Sequence, residues 1–112
     1  MNIRLYVGSL LLAATFFGSA GAMAQSQPPI KIGEINSYRL QAAFVEPHKR
    51  GMELAIEEIN AAGGVLGRKL ELHTRDDNSN PADGVRVADE LLSREKVDVL
   101  TGVMLSHVAL GV

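Results

Sequence analysis

Hydrophobic and polar positions along residues 30–112 fall into two alternating periods. Ile30-Lys31-Ile32-Gly33-Glu34-Ile35 alternates at period two with β-branched residues, which predicts a strand. Asn36 to Glu46 carries no clean period and reads as a loop with room for a short helical turn. From Pro47 onward Met52, Ala55, Ile56 and Ile59 recur at the spacing of one helix face, with Glu53, Glu57 and Glu58 turned to water. Gly63-Gly64 ends that helix, because glycine reaches the left-handed conformation of a C-terminal cap. After a turn at Val65 to Arg68, Lys69 to Arg75 alternates as a second strand. Asn80-Pro81 opens a second helix, the Asn side chain accepting from free backbone N–H groups and the proline lacking one that would be orphaned. Val85, Ala88, Leu91 and Leu92 are its expected buried stripe, and it reaches Arg94 to Lys96. Val97 to Thr101 is a third strand, Gly102 to Leu105 a loop, and Ser106 stands where a third helix would begin.

Strand, helix, strand, helix, strand and a helix start make an α/β, doubly wound pattern with a parallel sheet and right-handed crossovers. A parallel sheet needs both faces covered, and two complete helices leave part of one face bare. The sequence stops at Val112 in an apolar run with no cap, so the expectation is an incomplete lobe that is unstable or aggregation-prone as residues 25–112 alone.

Residues 1–24 have a different grammar. Arg4 supplies a cationic start, Leu5 to Phe17 is apolar, and the small-residue stretch ends Ala22-Met23-Ala24. This is a secretory signal peptide, with cleavage expected after Ala24. Its apolar run is shorter than the roughly 20 residues a spanning helix needs. The 112-residue chain has no cysteine, so no lipid can be attached at the new amino terminus and no disulfide or thiol chemistry is possible. An exported product of this kind is expected in a bacterial periplasm, with extracellular release as the alternative. With 11 Lys+Arg against 13 Asp+Glu, no basic face supports a nucleic-acid partner.

Enzyme motifs fail on context. Gly63-Gly64-Val65-Leu66-Gly67 follows a helix instead of a strand, so it reads as a turn and not as a pyrophosphate cradle. Neither G-x-x-x-x-G-K-[ST] nor G-x-S-x-G is present. His48, His73 and His107 stand apart, without metal-ligand spacing, so no metal and no cofactor is expected. Asp76-Asp77, between a strand and a helix start, fits turn and capping roles better than acid/base catalysis. Ser106 combines an expected N-cap role with a position at the carboxyl end of a parallel strand, where a small carboxylate is favoured. A strand order of 2-1-3 would open the switch-point crevice between the first and third strands and set Asn36, Ser37 and Tyr38 opposite Ser106.

Ile30-Lys31-Ile32-Gly33, the run from Gly51 through Glu53-Leu54-Ala55-Ile56-Glu57-Glu58-Ile59-Asn60-Ala61-Ala62-Gly63-Gly64-Val65-Leu66-Gly67-Arg68-Lys69-Leu70-Glu71-Leu72, then Asp76-Asp77 and Asn80-Pro81, together resemble the periplasmic leucine/isoleucine/valine-binding protein family. These are substrate-binding subunits of branched-chain amino acid-type ABC transporters. The resemblance spans residues 30–112 and implies a type I periplasmic-binding-protein fold, two α/β lobes closing on a ligand by hinge motion, with this chain supplying the first part of the amino-terminal lobe. It also implies that Ser106, four residues after Gly102, helps hold a ligand carboxylate. Asn36-Ser37-Tyr38 departs from the family's commoner glycine-containing loop, and Leu105 stands where some members have a cysteine.

The expected function is that of a non-enzymatic solute-binding protein. It would take a branched-chain or other amino acid, or a related organic acid, to an inner-membrane permease, with Ser106, Tyr38 and Ser37 as ligand-binding residues. A ligand-sensing domain of a receptor with the same fold, or a non-binding remnant, are the alternatives.

Overall fold

The computed structural model describes residues 27–112; the expected signal segment, residues 1–24, lies outside the described residues. The central strand is the first one. β1 (Ile30–Asn36) pairs in parallel with β2 (Leu70–Asp76) on one side and β3 (Val99–Gly102) on the other, giving the order β2-β1-β3. In register, Ile32 faces Leu72 and Val99, and Asn36 faces Asp76. Two helices make the crossovers: α1 (Ala42–Ala61) and α2 (Pro81–Asp89), the latter running on as a π-helical stretch, Glu90–Glu95. The short α3 (Ser106–Ala109) follows β3. Strand identities and parallel sense are those the pattern of positions predicts, and the order is the 2-1-3 on which the switch-point crevice depends; strand boundaries shift by one or two residues.

Helix α1 begins earlier than the polarity pattern suggests. Its first turn forms at Ala42, within the stretch expected to be a loop, and Pro47 lies inside the helix. Proline's fixed φ is compatible with helix, and its missing N–H costs one bond near the amino-terminal end. Ser37 and Gln41 carbonyls start the ladder, accepting from Gln41 and from Phe44 and Val45. Buried Val45 anchors that early turn. Of the expected face, Met52 and Ile56 are half-buried while Ala55 and Ile59 are exposed. α1 lies chiefly against β2, so only part of its apolar stripe is covered. Gly63 and Gly64 end the helix at positive φ, as expected.

The stripe of α2 is rotated relative to expectation. Gly84, Val87, Ala88 and Leu91 are buried, whereas Val85 and Leu92 are exposed. The reason lies at Gly84, where a Cβ would meet Val108 Cγ1 at 2.5 Å; the bare backbone lets α3 pack closely and sets which side of α2 turns inward. Asn80 caps this helix as its sequence predicts, Oδ1 accepting from Ala82 N at 2.8 Å and Asp83 N at 3.3 Å, with Pro81 in the first turn. Ile35, Val87, Ala88, Leu91 and Val97 form the apolar core, with Leu100 and Val103 against it. Val97, expected in the third strand, precedes it and packs from the connecting segment.

Candidate functional site

The carboxyl ends of the three strands converge where β1 leads into α1 and β3 leads into α3. Two bonds fasten these exits together. Val103 N donates to Ile35 O at 2.6 Å, and Met104 N donates to Asn36 Oδ1 at 3.0 Å. The approach depends on Gly102, whose φ is +94° and whose Cβ, if present, would stand 2.4 Å from Ile35 O. An open cavity of about 300 Å³ lies between this edge and the start of α1, lined by Asn36, Phe44, Val45, His48, Gly102 and Met104.

Beside the cavity is a polar cluster that alternation places on the face of β1 opposite Ile35 and the apolar core. Glu34 is fully buried; its Oε1 accepts from Asn36 Nδ2 and its Oε2 accepts from the Tyr38 hydroxyl. Lys49 Nζ sits 5.5 Å from the Tyr38 ring centroid, on its face. Burial, then the bond to Glu34 and that carboxylate's charge, push the Tyr38 hydroxyl well above the usual tyrosine range.

Ser37 is directed elsewhere. It is buried, and its hydroxyl donates to Asp77 Oδ1 at 2.6 Å, an atom that also accepts from Ser79 N at 2.8 Å. Asp77 Oδ2 is buried without a partner. Asp76 accepts from Asn78 N at 2.9 Å and pairs with Arg39 Nε at 3.0 Å. Partial burial raises its carboxyl, but the Asn78 and Arg39 bonds outweigh that and hold it below the usual aspartate range. These two carboxylates do the turn work their position predicts.

Ser106 is exposed and is the first residue of α3; Leu105 occupies the N-cap position and no side chain caps the helix. The expected Ser106 cap therefore does not form. The helix starts one residue earlier than a cap at Ser106 would require, leaving the hydroxyl outward. Thus the edge gathers the loop carrying Tyr38 and the loop leading to Ser106, with no hydrogen bond between Ser37 or Tyr38 and Ser106 among the described residues. Sequence reasoning missed Glu34, Phe44, His48 and Met104. A glutamate near the end of a central parallel strand, where both faces are covered, was the available signal for the first. Among the described residues no group of three or more His, Asp or Glu side chains could hold a metal, and no helix is long and apolar enough to cross a membrane.

The sequence profile for periplasmic binding proteins matches residues 29–112. The Leu/Ile/Val-binding protein homolog 3 of Brucella melitensis is 34% identical over 113 residues, covering 100% of this chain and 29% of that protein. An ABC transporter substrate-binding protein from Desulfitobacterium hafniense, solved in complex with Leu, superposes with a TM-score of 0.63 at 30% identity, covering 74% of this chain and 24% of that one. An ABC transporter solute-binding protein from R. palustris, solved in complex with benzoate, superposes with a TM-score of 0.62 at 30% identity over 74% of this chain and 23% of that one. The chain spans less than a third of the length of these relatives.

Proposed function

This chain belongs to the periplasmic binding protein family, and on that premise we propose that it is the solute-capturing component of an ABC importer, taking a small carboxylate-bearing ligand in the periplasm. Its parallel β2-β1-β3 sheet is the start of the type I fold of that family. The observation that carries the reading is the fastening of the β1 and β3 exits by Met104 N on Asn36 Oδ1. It brings the Tyr38 loop to the same edge as the loop leading to Ser106. In α/β sheets ligands bind at such an edge, where neighbouring connections leave in opposite directions.

Here the exposed Ser106 hydroxyl donates to a ligand carboxylate, and Tyr38 offers a ring face to the ligand's body. Ser37 contributes through its bond to Asp77, which shapes the loop that presents Tyr38. The ligand class is an amino acid, branched-chain or other, or a related organic acid; the leucine and benzoate complexes of the two similar proteins support both halves of that range. The permease partner is an inner-membrane one, and the chemistry is capture and release without bond making, hence no enzyme. The signal-like residues 1–24 support export.

The test is a thermal-shift screen on the mature product isolated from its source cells, with its intact mass measured in the same sample. A ligand that binds only the folded state raises the melting temperature in proportion to the logarithm of its concentration. Stabilisation by leucine, another amino acid or a benzoate is the expected outcome. Failure of every carboxylate in the panel to shift the transition would sink the proposal.

A further inference from the structure

Glu34 is fully buried at the carboxyl end of the central strand, and no basic side chain forms an ion pair with it among the described residues. A buried carboxylate is costly unless hydrogen bonds replace its water. Both oxygens are occupied, one by Asn36 Nδ2 and the other by the Tyr38 hydroxyl. Neither partner belongs to the apolar core. Each leads outward to a different connection: Tyr38 is in the segment leaving β1, and Asn36 passes its own Oδ1 to Met104 N in the segment leaving β3. The fit is close, since a Cβ at Gly102 would stand 3.2 Å from Glu34 Oε1 and 3.1 Å from Asn36 Nδ2.

An apolar side chain at residue 34 would fill this space without the cost of burying a charge, but it could hold neither connection. We propose that Glu34 is the positioning residue of the ligand edge: it fixes the Tyr38 loop and, through Asn36, the loop that leads to Ser106, in one arrangement before any ligand arrives. The proposal rests on the reading that these two loops border the ligand. Preorganisation of this kind raises affinity by removing the cost of ordering loops at the moment of binding.

Amide hydrogen exchange on the mature product, paired with titration of leucine and of benzoate, tests it. Glu34→Leu removes both acceptor atoms, and Glu34→Gln keeps a carbonyl for Asn36 while its amide can donate to the Tyr38 oxygen. In Glu34→Leu the Val103 and Met104 amides are expected to exchange at least about tenfold faster, with β2 amides unchanged, and affinity for the bound probe to fall by about tenfold or more. In Glu34→Gln both are expected to return to within about threefold of the parent. Val103 and Met104 protection unchanged in Glu34→Leu overturns the proposal, as does a loss spread evenly through β2, which would mean that Glu34 only adds stability. If Glu34→Leu does not fold, Asn36→Ala decides, because it cuts the path to Met104 and leaves the Tyr38 bond in place: faster exchange confined to the β3 exit supports the proposal and unchanged exchange overturns it. A parent that binds no carboxylate in the thermal-shift panel, with the expected exchange pattern in the variants, removes the function proposed above while leaving Glu34 as the residue that sets the two loops.

Discussion

Ser106 and Tyr38 reach the same sheet edge with opposite degrees of freedom. The Ser106 hydroxyl is exposed and caps nothing, so it is available to a carboxylate; in a product that binds ligand, Ser106→Ala is expected to weaken affinity by about 10- to 150-fold, measured by calorimetry, since a hydrogen bond to a charged group is worth roughly 1.5–3 kcal/mol. Tyr38 is committed to Glu34, and its hydroxyl resists ionisation because of burial and that bond. Folding therefore favours the protonated phenol: the stabilisation is fully present below the ordinary tyrosine range, about pH 10, and is lost as pH rises above it. Urea unfolding of the parent and Tyr38→Phe should show the parent more stable by about 1 kcal/mol at pH 8, with the gap closing above about pH 10; a gap independent of pH would exclude the linkage. At this scale the sequence was half-legible. Asn36, Ser37, Tyr38 and Ser106 could be placed at one edge from strand order alone, but not that Ser37 points to Asp77 while the Tyr38 hydroxyl donates to Glu34. Partners separated by 40 residues along the chain, as Ser37 and Asp77 are, leave no local pattern to read.

Elements were legible wherever one period or one cap decided the outcome. Asn80-Pro81 announces the start of α2, and the structure puts two backbone N–H groups on that Asn side chain. Asn80→Ala is expected to cost about 1 kcal/mol in chemical denaturation, with the denaturant dependence unchanged. The rotated α2 stripe and the early start of α1 were not legible, because each depends on a neighbour outside the helix. Gly84 reads as a poor helix residue in isolation; its value is the close approach of Val108. Gly84→Ala should gain helix propensity and still destabilise, by about 1–3 kcal/mol, because the new methyl would overlap Val108 Cγ1. A stabilised Gly84→Ala variant would show that α3 does not depend on this contact. Pro47, where the pattern of positions begins the helix, lies inside it, because Val45 anchors a turn before it.

Across the whole molecule the two faces of the sheet are unequal. One carries the core of Ile35, Val87, Ala88, Leu91 and Val97; on the α1 side the buried groups are Val45 of the helix with the polar Glu34 and Asn36. Phe44 is 69% exposed and Leu54 56%. Residues 25–112 taken alone are therefore expected to give a broad, non-cooperative thermal transition by circular dichroism and to bind a hydrophobic dye; a sharp, reversible melt would contradict this. The order β2-β1-β3 has a further consequence in time. The strand at the centre is made first, and the residues that flank it on the β3 side come 67 positions later, as the Lys31–Asp98 bond records. A nascent or translocating chain can zip β1 to β2 early, yet one edge of β1 stays open until Val99 to Gly102 arrive, so completion of the sheet is a late, non-local step and not a seed of folding.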